Sequence, residues 1–118
     1  MKSIIIIGGG VSGWCAALAF ARSDFKVKIL NNDSVIFGAQ QVSPNGFKCL
    51  SELIGSDLLK KKIEKILQIK ITLINEKKFK VLTNYDLKEN FDNYGSISRK
   101  VLIDELRNTA ESNDNIEI

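Results

Sequence analysis

Gly8, Gly9, Gly10, Val11, Ser12 and Gly13 form a G-x-G-x-x-G pattern, the one stretch of this 118-residue chain whose residue types and spacing point to a definite chemistry. In that pattern the first glycine permits a tight turn after a strand. The second lets the backbone approach a pyrophosphate, and the third lets the following helix pack closely on the sheet. The helix then offers its free N–H groups and the positive end of its dipole to the phosphates. A ribose-binding acid belongs about 20 residues further on, at the end of the next strand. Eighteen residues after Gly13 stands Asn31, not Asp or Glu. Its amide can make one neutral hydrogen bond to a ribose hydroxyl but not the stronger charge-assisted one. Asp33 stands two residues beyond, in the expected loop.

The motif has meaning only between a strand and a helix, and the flanking residues supply both. Residues 3–7 (SIIII) are a β-branched run ending at glycine, which predicts a strand buried on both faces. Residues 11–22 place Trp14, Ala17, Leu18 and Ala21 at helical spacing, and residues 25–30 (FKVKIL) alternate as a second strand. Together they predict a parallel βαβ unit. Residues 31–42 read as a loop. Ser43 and Pro44 then start a helix that presents Phe47, Leu50, Leu53 and Ile54. Gly55 ends it, and Ser56 is expected to cap another with Leu59, Ile63, Ile66 and Leu67 in one stripe. Residues 69–74 and 79–82 predict a hairpin across residues 75–78. Residues 84–95 read as polar and irregular, Ser98 caps a helix carrying Leu102, Leu106 and Ala110, and residues 116–118 begin a strand.

Composition narrows the function. The hydrophobic fraction of 44% and charged fraction of 26% suit an ordinary globular chain of one domain. The net charge of +3 is scattered, and the Lys60–Lys62 run lacks interleaved aromatics, so nucleic-acid binding is not expected. Without histidine, Cys-His and Ser-His catalysis are excluded within the chain, and no metal site is expected. Cys15 and Cys49 fall on apolar helix positions and read as inert core thiols in a reducing, cytoplasmic setting. A secretory reading is available, with Lys2 before an apolar stretch and Ala19-Phe20-Ala21 as a cleavage site. The glycines that interrupt the stretch weigh against it, and no run is long enough for a membrane span.

Residues 4–30, IIIIGGGVSGWCAALAFARSDFKVKIL, resemble the amino-terminal FAD fingerprint of class A flavoprotein monooxygenases. These are the relatives of p-hydroxybenzoate hydroxylase and of the ubiquinone-biosynthesis hydroxylases. FGAQQVSPNGFKCLSELIG (residues 37–55) resembles that family's glycine loop and Ser-Pro-Asn helix start, one residue short. ILQIKITLINEKKFKVL (residues 66–82) stands where the family has its next strands, and SRKVLIDEL (residues 98–106) resembles its Arg-x-x-Leu segment. The resemblance implies an α/β, Rossmann-like FAD-binding βαβ fold, incomplete, with residues 1–118 forming the amino-terminal part of the FAD-binding domain. It implies that Gly8, Gly10, Val11, Ser12 and Gly13 hold the pyrophosphate, Asn31 the adenosine ribose, and Arg99 another part of FAD. For Arg99 the alternative is a solvated residue in a helix's first turn.

Family members also carry a Gly-Asp-rich second FAD motif and a substrate domain over the flavin, and neither is found in this sequence. The resemblance therefore implies an FAD-binding portion of an aromatic-ring monooxygenase that uses O₂ and NAD(P)H when complete. No catalytic residue is assigned within the chain, and it is expected to be inactive alone. A second polypeptide could complete the fold. Two other readings stand beside this one. Trp14, next to the last fingerprint glycine, also resembles the flavin-dependent tryptophan halogenases, and the absence of an acid at position 31 suits a non-catalytic nucleotide-binding module or a decayed remnant.

Overall fold

The computed structural model describes residues 1–32, 34, 36–87 and 93–118. The β-branched run forms β1 (Lys2–Ile7), followed by α1 (Val11–Arg22) and β2 (Phe25–Leu30), as the hydrophobic periods predict. β1 and β2 pair in parallel from Lys2 opposite Phe25 to Ile7 opposite Leu30. At the end of the chain β8 (Ile116–Glu117) adds to the other side of β2, again parallel, giving the order β1-β2-β8. An ion pair between Lys28 and Glu117 crosses that last pairing.

One face of this sheet is covered. Trp14, Ala17, Leu18 and Ala21 of α1 pack with Val27 and Ile29, and with Leu102, Ile103, Leu106 and Ala110 of α4 (Arg99–Glu111). The opposite face carries no layer among the described residues. Ile5 and Ile7 are 64% and 85% exposed there, while Ile4 and Ile6 pack inward. The expectation that residues 3–7 are buried on both faces is therefore corrected: the run is apolar on both sides, but the described residues supply a helical layer to only one.

The second sheet departs most from the pattern reading. Residues 31–42 do not stay a loop, because β3 (Ala39–Val42) pairs antiparallel with β7 (Gly95–Ser98). β4 (Glu64–Lys65) pairs with the other edge of β7. This pairing also ends α3 (Ser56–Lys62) before Ile63, so Ile66 and Leu67 leave the expected stripe. The cap of α3 is Gly55 at φ +92°, not Ser56. Gly95 is needed where β4 crosses, since a Cβ there would lie 2.2 Å from Ile63 Cγ2 and 2.8 Å from the Glu64 carbonyl oxygen.

α2 (Pro44–Ile54) starts as expected, with the Ser43 hydroxyl accepting from the Gly46 N–H at 3.3 Å. The hairpin is present but longer, β5 (Gln68–Asn75) against β6 (Lys78–Asp86), with a two-residue turn. Residues 84–86, expected to be irregular, are the end of β6, and residues 88–92 of the same stretch lie outside the described residues. No helix among the described residues is long and apolar enough to cross a membrane.

Candidate dinucleotide site

The glycine turn joins β1 to α1. Gly8 has φ +111°, a left-handed conformation that favours glycine, and its N–H donates to the Leu30 carbonyl at 2.8 Å, locking the turn to the end of β2. Gly13 lies against the same turn, where a Cβ would stand 1.9 Å from the Gly8 carbonyl oxygen. A Cβ on Gly9 would meet Asn31 Cγ and Oδ1 at 2.3 Å, so the Asn31 amide lies directly over the turn. At Gly10, by contrast, a Cβ would meet nothing within 4 Å. The protein itself does not demand glycine there; it leaves open space in front of the helix.

That helix end differs from those of α2 and α4, and from that of α3, which has a glycine cap but Asp57 in its first turn. Ser43 and Ser98 cap α2 and α4 with their hydroxyls, but Gly10 gives α1 no side-chain cap, and its first turn holds no acid. The first N–H to be satisfied within the helix is that of Trp14, which donates to the Gly10 carbonyl at 3.1 Å. The leading N–H groups of α1 thus point outward with the positive end of the dipole, the arrangement that binds phosphate.

In front of them is a cleft of about 260 Å³, bounded by Gly8, Gly9 and Gly10, by Trp14, by Asn31, Asn32, Ser34 and Ile36, and by Ile103, Asp104 and Arg107 of α4. Trp14 is 0% exposed, and its Nε1–H has no hydrogen-bond partner among the described residues. A wider hollow of about 420 Å³ shares Gly8, Asn31 and Asn32 and continues over the carboxyl ends of the strands to Ile118. Ligands of open α/β sheets bind at such strand ends. The cleft lies just under the range of about 300–1,000 Å³ that encloses a drug-sized ligand, so it suits one end of a dinucleotide.

Of the residues expected from the sequence, Gly8, Gly10 and Asn31 line this cleft, and Val11, Ser12 and Gly13 form the open first turn of α1 behind it. Arg99 does not line it. It heads α4, exposed, with its backbone N–H donating to the Gly38 carbonyl at 2.9 Å. At 1.5 Å per residue it lies about 12 Å along the helix from Arg107. Asp33 lies outside the described residues. From the sequence Trp14 reads as a helix-packing residue and a halogenase-like feature but not as a wall of this cleft, and no role falls to Asp104 or Arg107. The last two sit beside Ile103 on the face of α4, and only the packing of α4 on α1 brings that face to the cleft. Cys15 is half-buried, and burial, with a smaller push from Cys49, raises its thiol pKa and keeps it protonated. Cys49 is exposed, which corrects its expected place in the core.

The family model described as GIDA, Glucose inhibited division protein A, matches residues 3–118. The chain belongs to that family. No curated protein sequence matches it. Among solved structures, this GIDA-family chain is similar to the tetrameric form of 2-methyl-3-hydroxypyridine-5-carboxylic acid oxygenase, with 20% identity and a TM-score of 0.77 over 100% of this chain and 31% of that one. It is similar to the p-nitrophenol 4-monooxygenase PnpA of Pseudomonas putida DLL-E4, with 17% identity and a TM-score of 0.72 over 100% and 31% of the two chains. It is also similar to HpxO of Klebsiella pneumoniae, solved in complex with FAD and uric acid, with 22% identity and a TM-score of 0.70 over 99% and 30%. The fold is therefore the Rossmann-like α/β fold found in FAD-dependent monooxygenases, as the fingerprint implies, and the chain spans about a third of the length of these structures.

Proposed function

We propose that the chain binds the adenosine diphosphate half of FAD, with the pyrophosphate at the uncapped start of α1. Gly8, Gly10, Val11, Ser12 and Gly13 would hold the phosphates, Asn31 the ribose, and Arg99, at the head of α4, another part of the cofactor. The observation that carries this is the pairing of an uncapped, acid-free helix end with open space at Gly10. Trp14 adds a buried, unpaired N–H on the wall of the same cleft. Bound FAD would supply the redox and oxygen chemistry, and the protein's part is to place it. The backbone N–H groups of α1 balance the phosphate charge, and the Asn31 amide sits where a ribose hydroxyl would follow.

In the whole protein this portion would serve an FAD-dependent monooxygenase that hydroxylates an aromatic ring with NAD(P)H and O₂, ubiquinone-biosynthesis hydroxylation being the specific case. The monooxygenases and oxygenases among the structural neighbours, and the Ser-Pro-Asn and Arg-x-x-Leu segments, support this class. The contacts around the flavin ring and substrate would come from residues beyond these, in the same polypeptide or a second one. A flavin enzyme of another reaction class, such as a halogenase, is the second reading, favoured by Trp14 directly after the last fingerprint glycine.

Titration of the purified chain with FAD and with ADP tests the cofactor. Saturable binding of both is expected, and a Kd weaker than about 1 mM, near −4 kcal/mol, removes the claim. Incubation with FAD, NADPH and simple phenols is expected to give no hydroxylated product. Turnover would show that the chain is catalytically sufficient and overturn its inactivity alone.

A further inference from the structure

On the rim between α1 and α2 the structure brings both cysteines of the chain to one place. We infer that Cys15 and Cys49 form an internal disulfide when a small disulfide such as glutathione disulfide reaches them. The two helices are packed together, and the Arg22 guanidinium of α1 donates to the Leu53 carbonyl of α2 at 3.1 Å. Cys15 and Leu53 both pack against the apolar cluster to which Phe47 and Leu50 of α2 belong. Cys15 lies seven residues before Arg22, about two turns, and Cys49 four residues before Leu53, about one turn. Each cysteine therefore stands on the side of its helix that carries the contact. Cys15 is half-buried, Cys49 is exposed, and both are free thiols. The negative charge of a Cys49 thiolate adds to burial in keeping Cys15 protonated, an influence that requires the two sulfur atoms to be close.

The difference in exposure sets the order of events. The thiolate is the reacting form, and Cys49 is the thiol that a reagent in solution reaches. Its thiolate attacks one sulfur of glutathione disulfide, forming a mixed disulfide on Cys49 and releasing one glutathione thiolate. Capture of Cys49 also removes the charge that helped to hold Cys15 protonated. Cys15 then gives its proton to solvent, and its thiolate attacks the Cys49 sulfur. The mixed bond breaks and the second glutathione leaves. The two cysteines together lose two electrons and two protons, and glutathione disulfide is reduced to two thiols. Neither step involves the glycine turn or the cleft in front of it, whose described lining includes neither cysteine.

Treatment of the whole chain with glutathione disulfide, followed by an acid quench and mass spectrometry, tests this. The expected end product is a monomer lighter by two hydrogens. In it trypsin should leave residues 3–22 joined to residues 49–60. Cys15→Ser should stop at a single glutathione adduct on Cys49. Cys49→Ser should take up glutathione roughly tenfold more slowly than Cys15→Ser, because its remaining thiol is half-buried and held protonated. In urea the closing step of the wild type should slow roughly tenfold or more, since a flexible chain brings the thiols together at only about millimolar effective concentration. A wild type that stays reduced, stops at the Cys49 adduct or yields only dimers linked through Cys49 overturns the inference. Closure as fast in urea as in the folded chain also overturns it, because the fold would then contribute nothing.

Discussion

Gly13→Ala is expected to destabilise the chain by about 1–3 kcal/mol, the usual cost of overpacking, and to abolish nucleotide binding at the turn. The new methyl would stand 1.9 Å from the carbonyl oxygen of Gly8, and its nearest neighbours are backbone, which cannot rotate away as a side chain can. Either α1 lifts from β1 or the turn opens, and both displace the N–H groups aimed at the phosphates. Gly10→Ala is the contrast. Nothing within 4 Å obstructs that methyl, so stability should fall by no more than about 1 kcal/mol, the difference between glycine and alanine at an N-cap. Its nucleotide affinity should still drop, because the methyl enters the space assigned to the pyrophosphate. Urea midpoints with ADP titrations of both variants decide the matter. If Gly10→Ala binds as the wild type does, that space is not where the phosphates sit.

Trp14→Ala should be the most damaging core substitution, costing about 3–5 kcal/mol. Trp14 is 0% exposed and touches the layer shared by α1, α4 and the sheet. Small domains have about 5–15 kcal/mol in total, and among the described residues nothing covers Ile5 and Ile7 on one sheet face. The alanine variant is therefore expected to be largely unfolded at room temperature, as loss of the cooperative melting transition would show. Trp14→Phe retains a ring and removes the unpaired buried Nε1–H, so it should cost far less. That second variant also isolates the N–H as a ligand donor: a fall in FAD affinity with little change in melting temperature assigns it that role. A cooperative Trp14→Ala transition within a few degrees of wild type would contradict the packing described.

Local signals carried the sequence reading where neighbours in the chain are neighbours in space. α1 begins and ends as its periodicity and glycines predict, the Ser43-Pro44 start of α2 is where cap chemistry puts it, and Ser98 caps α4. Pattern failed where distant pairing decides. The strands β3, β4 and β7 are four residues or fewer, too short to show a period, and each exists because another segment lies beside it. The apolar stripe of α3 runs on past its end because Ile63 and Ile66, which flank the exposed two-residue β4, are half-buried at a spacing that a helix would also give; the pairing of β4 with β7 decides where the helix stops.

The opening motif shows the same division. The residue types alone determined a tight turn at Gly8, a close approach at Gly13, an open helix end at Gly10 and a neutral side chain at position 31, because each follows from a missing Cβ or a missing charge. Only the tertiary structure decided what faces them. Packing of α4 across α1 brings Ile103, Asp104 and Arg107 to the glycine turn and leaves Arg99 about two turns away, since eight residues of helix advance about 12 Å. Packing likewise decided that Trp14 is a wall of the cleft as well as part of the core, and that the described residues cover only one face of the isoleucine run at residues 4–7. A glycine's geometry is local to its own backbone; the chemistry of a cleft belongs to elements that meet only when the helices settle on the sheet.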